Sequence, residues 1–135
     1  MKIYLAMPWK DRANAPAISA RLEAAGHTLT KKWWEVPVAL EGSGKDAVLR
    51  EQAYADLKGV KNAQLVLLVN SAKSEGKAVE QGIALSLEKP IIAIGKLGEH
   101  SANVFQYTDN YKWVPDVDKA MEVLDTISWL LKAEV

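Results

Sequence analysis

The stretch Gln64-Leu65-Val66-Leu67-Leu68-Val69-Asn70 decides how the rest of this 135-residue chain is read. Its inner residues are all aliphatic, as in a strand covered on both faces of a parallel sheet. A strand with one wet face would instead alternate apolar and polar side chains. Parallel strands need a crossover, usually a helix, on each side, and the sequence supplies both. Helical spacing predicts one helix over Asp46–Lys61, and a polar turn, Ser71–Gly76, leads into another over Lys77–Glu88.

Working outward, residues 2–7 read as a first strand stopped by Pro8. A helix follows from Asn14, in N-cap position, to Ala25, with Gly26 as its stop. His27–Trp34 reads as a second strand, and Glu35–Lys45, with Pro37, Gly42 and Gly44, as a loop. Pro90–Gly95 gives the next strand and Tyr111–Val114 a short last one. A final helix over Val117–Lys132 carries the stripe Ala120, Val123, Leu124, Ile127, Leu130 and Leu131. This order predicts one α/β domain spanning residues 1–135. The expected architecture is doubly wound, Rossmann-like or flavodoxin-like, with a mostly parallel five-stranded sheet flanked by helices. Ligands of such sheets bind outside the carboxyl ends of the strands. Attention therefore falls on the ends at Met7, Trp34, Asn70 and Gly95 and on the helix turns that follow.

Lysine plus arginine equals aspartate plus glutamate, 17 of each, so the formal net charge is zero. That argues against a nucleic-acid polymer as partner, which demands a concentrated basic surface. It leaves a single nucleotide open. With no cysteine, thiolate chemistry is excluded. The two histidines, His27 and His100, carry no ligand spacing, so neither a metal nor another cofactor is expected. The apolar N-terminal run is shorter than a signal peptide, and no stretch approaches the ~20 apolar residues of a membrane span. A cytoplasmic protein is the expectation.

Two carboxylates fall on the wrong side of their helices. At roughly 100° per residue, Glu80 lies among Val79, Ile83, Ala84 and Leu87, whereas Lys77, Gln81 and Glu88 fall to one side. Asp56 is flanked in the same way by Leu49, Ala53, Gly59 and Val60. Burying a carboxylate without a partner costs several kcal/mol. Paired carboxylates in a partly apolar cleft can divide glycosidic cleavage between a nucleophile and a proton donor of raised pKa. The alternative is a structural pair, bonded to loop backbone or sheltered by a lysine.

At these residues the chain resembles the nucleoside 2-deoxyribosyltransferase family and the related 2'-deoxynucleoside 5'-phosphate N-hydrolases. The resemblance runs through Lys2-Ile3-Tyr4-Leu5-Ala6, through Asp56…Val60…Asn62-Ala63-Gln64-Leu65-Val66, and through Gly76-Lys77-Ala78-Val79-Glu80-Gln81-Gly82-Ile83-Ala84-Leu85 with Lys89-Pro90-Ile91-Ile92 after it. Asn103-Val104-Phe105 is similar to the late segment that these families contribute to a neighbouring subunit's site. The resemblance implies Glu80 as nucleophile, Asp56 as the acid that meets the base and Tyr4 as the group orienting Glu80. It implies that Ser74, with Gly76 behind it, holds a 5'-phosphate, where the transferases carry an acid. Ser74 is equally an ordinary N-cap, and Gly82 and Ala84 are small enough for close packing on the sheet. Met7, Trp34 and Asn103 complete the expected substrate contacts, with Trp33 or Trp34 stacking on a base. Glu75 and Met7-Pro8-Trp9-Lys10 depart from the family pattern.

The expected function is cleavage or transfer of the N-glycosidic bond of a (deoxy)nucleoside or its 5'-monophosphate, hydrolysis slightly favoured, by a homo-oligomer. Two alternatives remain: a binding module of the same fold without turnover, and nicotinamide release from NAD. The latter lacks a G-x-G-x-x-G fingerprint after the first strand.

Overall fold

A computed structural model describes residues 1–36, 42, 44–100 and 103–133, with side chains through Leu130. Pro37 and the side chain of Leu131, named above, lie outside that description. Five parallel strands form one sheet: β1 (Lys2–Ala6), β2 (Thr28–Leu29), β3 (Leu65–Val69), β4 (Ile91–Ile94) and β5 (Tyr111–Val114). Their spatial order, β2-β1-β3-β4-β5, is that of the flavodoxin-like doubly wound fold. The helices are α1 (Ala15–Ala24), α2 (Lys45–Asn62), α3 (Glu75–Ser86) and α4 (Val117–Ala133). Short 3-10 segments cover Trp9–Asn14, Trp33–Glu35 and Val104–Tyr107.

The central strands bury both faces, as their unbroken apolar sequence requires: Ile3 to Ala6, Leu65 to Leu68 and Ile91 to Ala93 are essentially inaccessible. Parallel crossovers are right-handed, so reversing direction after β2 puts α1 on one face and α2 and α3 on the other. α2 and α3 pack together, and an Arg21–Asp118 ion pair of 2.8 Å joins α1 to α4 across the opposite face. Gly59 allows α2 to lie close on β1. A Cβ there would stand 2.9 Å from Lys31 Cβ and 3.1 Å from the Tyr4 ring. The Lys89 ammonium donates to the carbonyls of Lys61 and Ala63, which ends α2 with a cation. Among the described residues no helix is long and apolar enough to cross a membrane.

Four expectations need correction. The second strand pairs only Thr28 and Leu29 with β1, and Trp33 and Trp34 belong to a 3-10 turn. The reason is local: Trp33 Nε1 donates to the Leu5 carbonyl at 2.7 Å, replacing the next rung of the ladder after Thr30 N–H to Ile3 carbonyl. Asn14 stands at the start of α1, but its side chain caps nothing because the 3-10 segment runs directly into the helix. In α4, Leu130 is exposed, although Ala120 and Leu124 are buried as the stripe requires.

The fourth correction concerns α3, which is rotated from its apolar arc. Val79 and Leu87 are 60 % and 48 % exposed, whereas Lys77, Gln81 and Ala84 are buried. Hydrogen bonds make that polar face tolerable. Gln81 Oε1 accepts from the Tyr111 hydroxyl at 2.7 Å and from Gln106 Nε2 at 3.2 Å, and its Nε2 donates to the Lys77 carbonyl at 3.0 Å. Gly82 is exposed, and a Cβ added there would meet nothing within 4 Å, so it does not serve close packing on the sheet. The buried Ala84 is the small residue on that face.

Candidate active site

The chain reverses its winding between β1 and β3, and a cavity of about 450 Å³ opens near the carboxyl ends of those strands. That position is the switch point at which doubly wound sheets take ligands, and the volume suits a small molecule. Tyr4 and Met7 come from β1 and the turn after it, Asp56 from α2, and Ser74, Gly76 and Glu80 from the start of α3. These six of the eight candidate residues line one cavity. Its remaining wall is mostly apolar, including Trp9, Trp33, Leu57, Val60 and Ile83.

Trp34 and Asn103 fall elsewhere. Trp34 meets Trp33 edge-on, with ring centroids 5.5 Å apart, and does not line the cavity. Trp33 takes the wall position, tilted against Trp9 at 5.9 Å. The Arg12 guanidinium lies 4.6 Å from the outer Trp9 ring and donates to the Trp9 carbonyl. Asn103 Oδ1 accepts from Phe105 N–H at 3.0 Å. It borders a second cavity, about 460 Å³, with Gln81, Gly82, Leu85, Phe105 and Tyr111. Trp33 was half legible as one of an aromatic pair, whereas Trp9 was visible only as a departure from the family pattern.

The two acids and the tyrosine form an electrostatic unit. Burial pushes the Glu80 carboxyl up to about 8, the Tyr4 hydroxyl opposes that rise, and the Asp56 charge adds to it. Burial raises Asp56 as well, against the attraction of Lys31, and Asp56 Oδ1 is buried without a hydrogen-bond partner. The Tyr4 phenol is held far above its ordinary range by burial first and then by Glu80 and Asp56. Its hydroxyl lacks a well-formed hydrogen bond, so the Tyr4–Glu80 pair is a close polar contact still short of that geometry. Such a set can hold one proton on an acid while a neighbouring carboxylate reacts.

Ser74 performs the capping role: its Oγ accepts from Lys77 N–H at 3.3 Å. That bond uses only the serine oxygen as acceptor, so the hydroxyl keeps its own proton to donate, and Ser74 lines the cavity. Gly76 has room around it, a Cβ meeting only Ser74 Oγ at 3.9 Å, so its small size keeps the wall open. The Ser71 hydroxyl donates to the Asp11 carboxylate beside this turn. Sequence reasoning passed over Lys77 and marked Asn70 only as the end of a strand, and both are buried under the same turn. A lysine on the polar side of a helical wheel gives no signal that it will turn inward.

Neither family models nor curated proteins match the chain. Among solved structures it is similar to the 2-deoxyribosyltransferase of Bacillus psychrosaccharolyticus, at 23% identity and a TM-score of 0.61, over 89% of this chain and 90% of that one. It is also similar to the CMP N-glycosidase of Clostridium botulinum, at 16% identity and a TM-score of 0.63, over 93% of this chain and 99% of that one. The likeness spans nearly the whole of each chain, and it is the fold, a doubly wound parallel sheet, that this protein shares with a 2-deoxyribosyltransferase and a CMP N-glycosidase.

Proposed function

We propose that this protein is an enzyme that cleaves the N-glycosidic bond of a (deoxy)nucleoside or its 5'-monophosphate through a covalent glycosyl–Glu80 intermediate. The observation that carries the reading is the convergence of Glu80, Asp56 and Tyr4 in one largely apolar cavity at the switch point. The two similar folds support chemistry at the same kind of bond. In the first half-reaction the Glu80 carboxylate attacks the anomeric carbon as the carbon–nitrogen bond breaks. The bonding pair leaves with the base, which takes a proton from Asp56. Water then attacks the same carbon, gives its proton to Asp56, and restores Glu80 as the sugar departs. Tyr4 steadies the ionised form of Glu80. Trp9 and Trp33 supply aromatic surface for a base.

Ser74 and the first turn of α3 suit a 5'-phosphate, because a hydroxyl donor and the helix dipole both favour an anion. This preference favours a nucleotide and hydrolysis over base exchange. Exposed Val104, Phe105 and Tyr107 support self-association through the segment after β4. A chromatographic screen for free base tests the reading, with deoxynucleosides, ribonucleosides and their monophosphates, with and without acceptor base. Release abolished by Glu80→Ala is the expected result, and acceptor dependence would mark a transferase. A second reading, a nucleotide-binding module without turnover, draws on the high pKa of Glu80. It requires ligand binding that survives Glu80→Ala and no base release.

A further inference from the structure

Lys77 is fully buried, at 0 % exposure, and among the described residues no carboxylate forms an ion pair with it. Burying an ammonium costs several kcal/mol, and a methionine could fill the same volume without that cost. What methionine could not do is donate. Lys77 Nζ donates to Asn70 Oδ1 at 2.8 Å and to the Ala72 carbonyl. Asn70, itself buried, passes the connection on: its Nδ2 donates to the Glu99 carbonyl at 3.0 Å and its backbone N–H to Ile94. Gly95 makes room for this chain, since a Cβ there would stand 3.3 Å from both Asn70 Cβ and the Asn70 carbonyl oxygen.

The bonds therefore run from α3 through the end of β3 to the loop after β4, and they enclose residues 71–74. That turn ends in Ser74, whose Oγ receives the N–H of Lys77 itself. Glu80 lies three residues further along the same helix. We propose that Lys77 is a positioning residue: its buried ammonium clamps the β3–α3 turn and so fixes Ser74 and Glu80 at the cavity. The catalytic part of this inference rests on the glycosidic reading, whereas the clamp does not.

Burial brings the Lys77 pKa down to about 8, with Asp11 opposing. Among the described residues, from the β3 side it bonds to the neutral Asn70 and Ala72 groups, and from beyond β4 it reaches the Glu99 backbone through Asn70. Asp56 of α2 shares the cavity wall, and Glu75 and Glu80 lie on its own helix. Loss of the proton leaves a neutral amine, and the clamp weakens as pH rises through that range.

The test is amide hydrogen exchange of residues 71–76 between pH 6.5 and 9.5, corrected for intrinsic rates, beside base release. Lys77→Met is expected to speed exchange at least ten-fold at pH 6.5 and to lower kcat at least ten-fold. In the wild-type protein, exchange should accelerate and base release decline above about pH 8. Asn70→Asp gives up the bond to the Glu99 carbonyl but gives the ammonium a counter-charge, and it should move both transitions up by at least one pH unit. A role confined to packing would give no pH transition and no such rescue. The wild-type and Asn70→Asp arms remain decisive if the methionine variant does not fold. Unchanged exchange in Lys77→Met, or indifference to Asn70→Asp, overturns the clamp. Exchange as expected with no base release from any substrate would instead sink the glycosidic reading and leave the clamp standing.

Discussion

Replacing Glu80 by glutamine isolates one proton, and its effect on stability has a defined sign and pH window. The folded protein raises the Glu80 carboxyl from 4.5 to about 8, so it binds this proton more tightly than the unfolded chain does. The resulting stability is fully present below pH 4.5 and is lost as pH rises to about 8. At ~1.36 kcal/mol per pH unit the whole displacement amounts to ~5 kcal/mol. This is an upper figure, because solvent relaxes around a half-buried carboxyl, and ~2–3 kcal/mol is the expected amplitude. Glu80→Gln has nothing to titrate, and Asp56, His27 and Lys77 titrate in both proteins. Thermal unfolding followed by circular dichroism at half-unit pH steps should therefore show the variant gaining on wild type from pH 4.5 to 8. At ~4 °C per kcal/mol for a chain of this size the gain is about 10 °C. Above pH 8 the two curves should run parallel. A difference that stays constant within 1 °C across that window would show that Glu80 ionises freely and that its environment has been misread.

Tyr4→Phe removes the group that opposes the rise of Glu80; the acid limb of base release should move up by about one pH unit, a ~10-fold loss at pH 7, read from kcat/KM against pH. Asp56→Asn should lower kcat by ~10²–10⁴-fold, as removal of a general acid does, measured by single-turnover release of base. Gly59→Ala pushes a Cβ against Lys31 and the Tyr4 ring and should cost ~1–3 kcal/mol in urea unfolding. Lys89→Met frees the carbonyls at the end of α2 and should cost ~1–2 kcal/mol in the same measurement.

The fold was legible wherever a single property, continuous burial, governed the chain. Leu65–Val69 and Ile91–Ile94 have no polar residue to place, and each is followed or preceded by turn chemistry that sets its ends. Reading failed where a side chain took over a backbone role, as when the Trp33 indole answered the Leu5 carbonyl and ended β2 early. It failed again on α3, because the partners that allow Lys77 and Gln81 to turn inward lie off the helix, at Asn70 across the preceding turn and at the distant Gln106 and Tyr111. Helical periodicity sees the polarity of a residue but not its distant partner. Glu80 and Asp56 were legible for the complementary reason: an acid within apolar spacing has no local explanation. Their meeting with Tyr4 in one cavity depends on the crossover geometry, which no local pattern records.

The short β2 has a consequence for solubility. An edge strand with many unpaired amides and carbonyls is a template for foreign strands. Here the border of the sheet pairs for only two residues, and beyond them an indole covers the Leu5 carbonyl. Trp33 thus walls the cavity and blunts the sheet's border at the same position. Loss of its ring would remove part of the cavity wall and free the Leu5 carbonyl for a foreign strand, so cavity shape and resistance to aggregation at this border depend on one side chain.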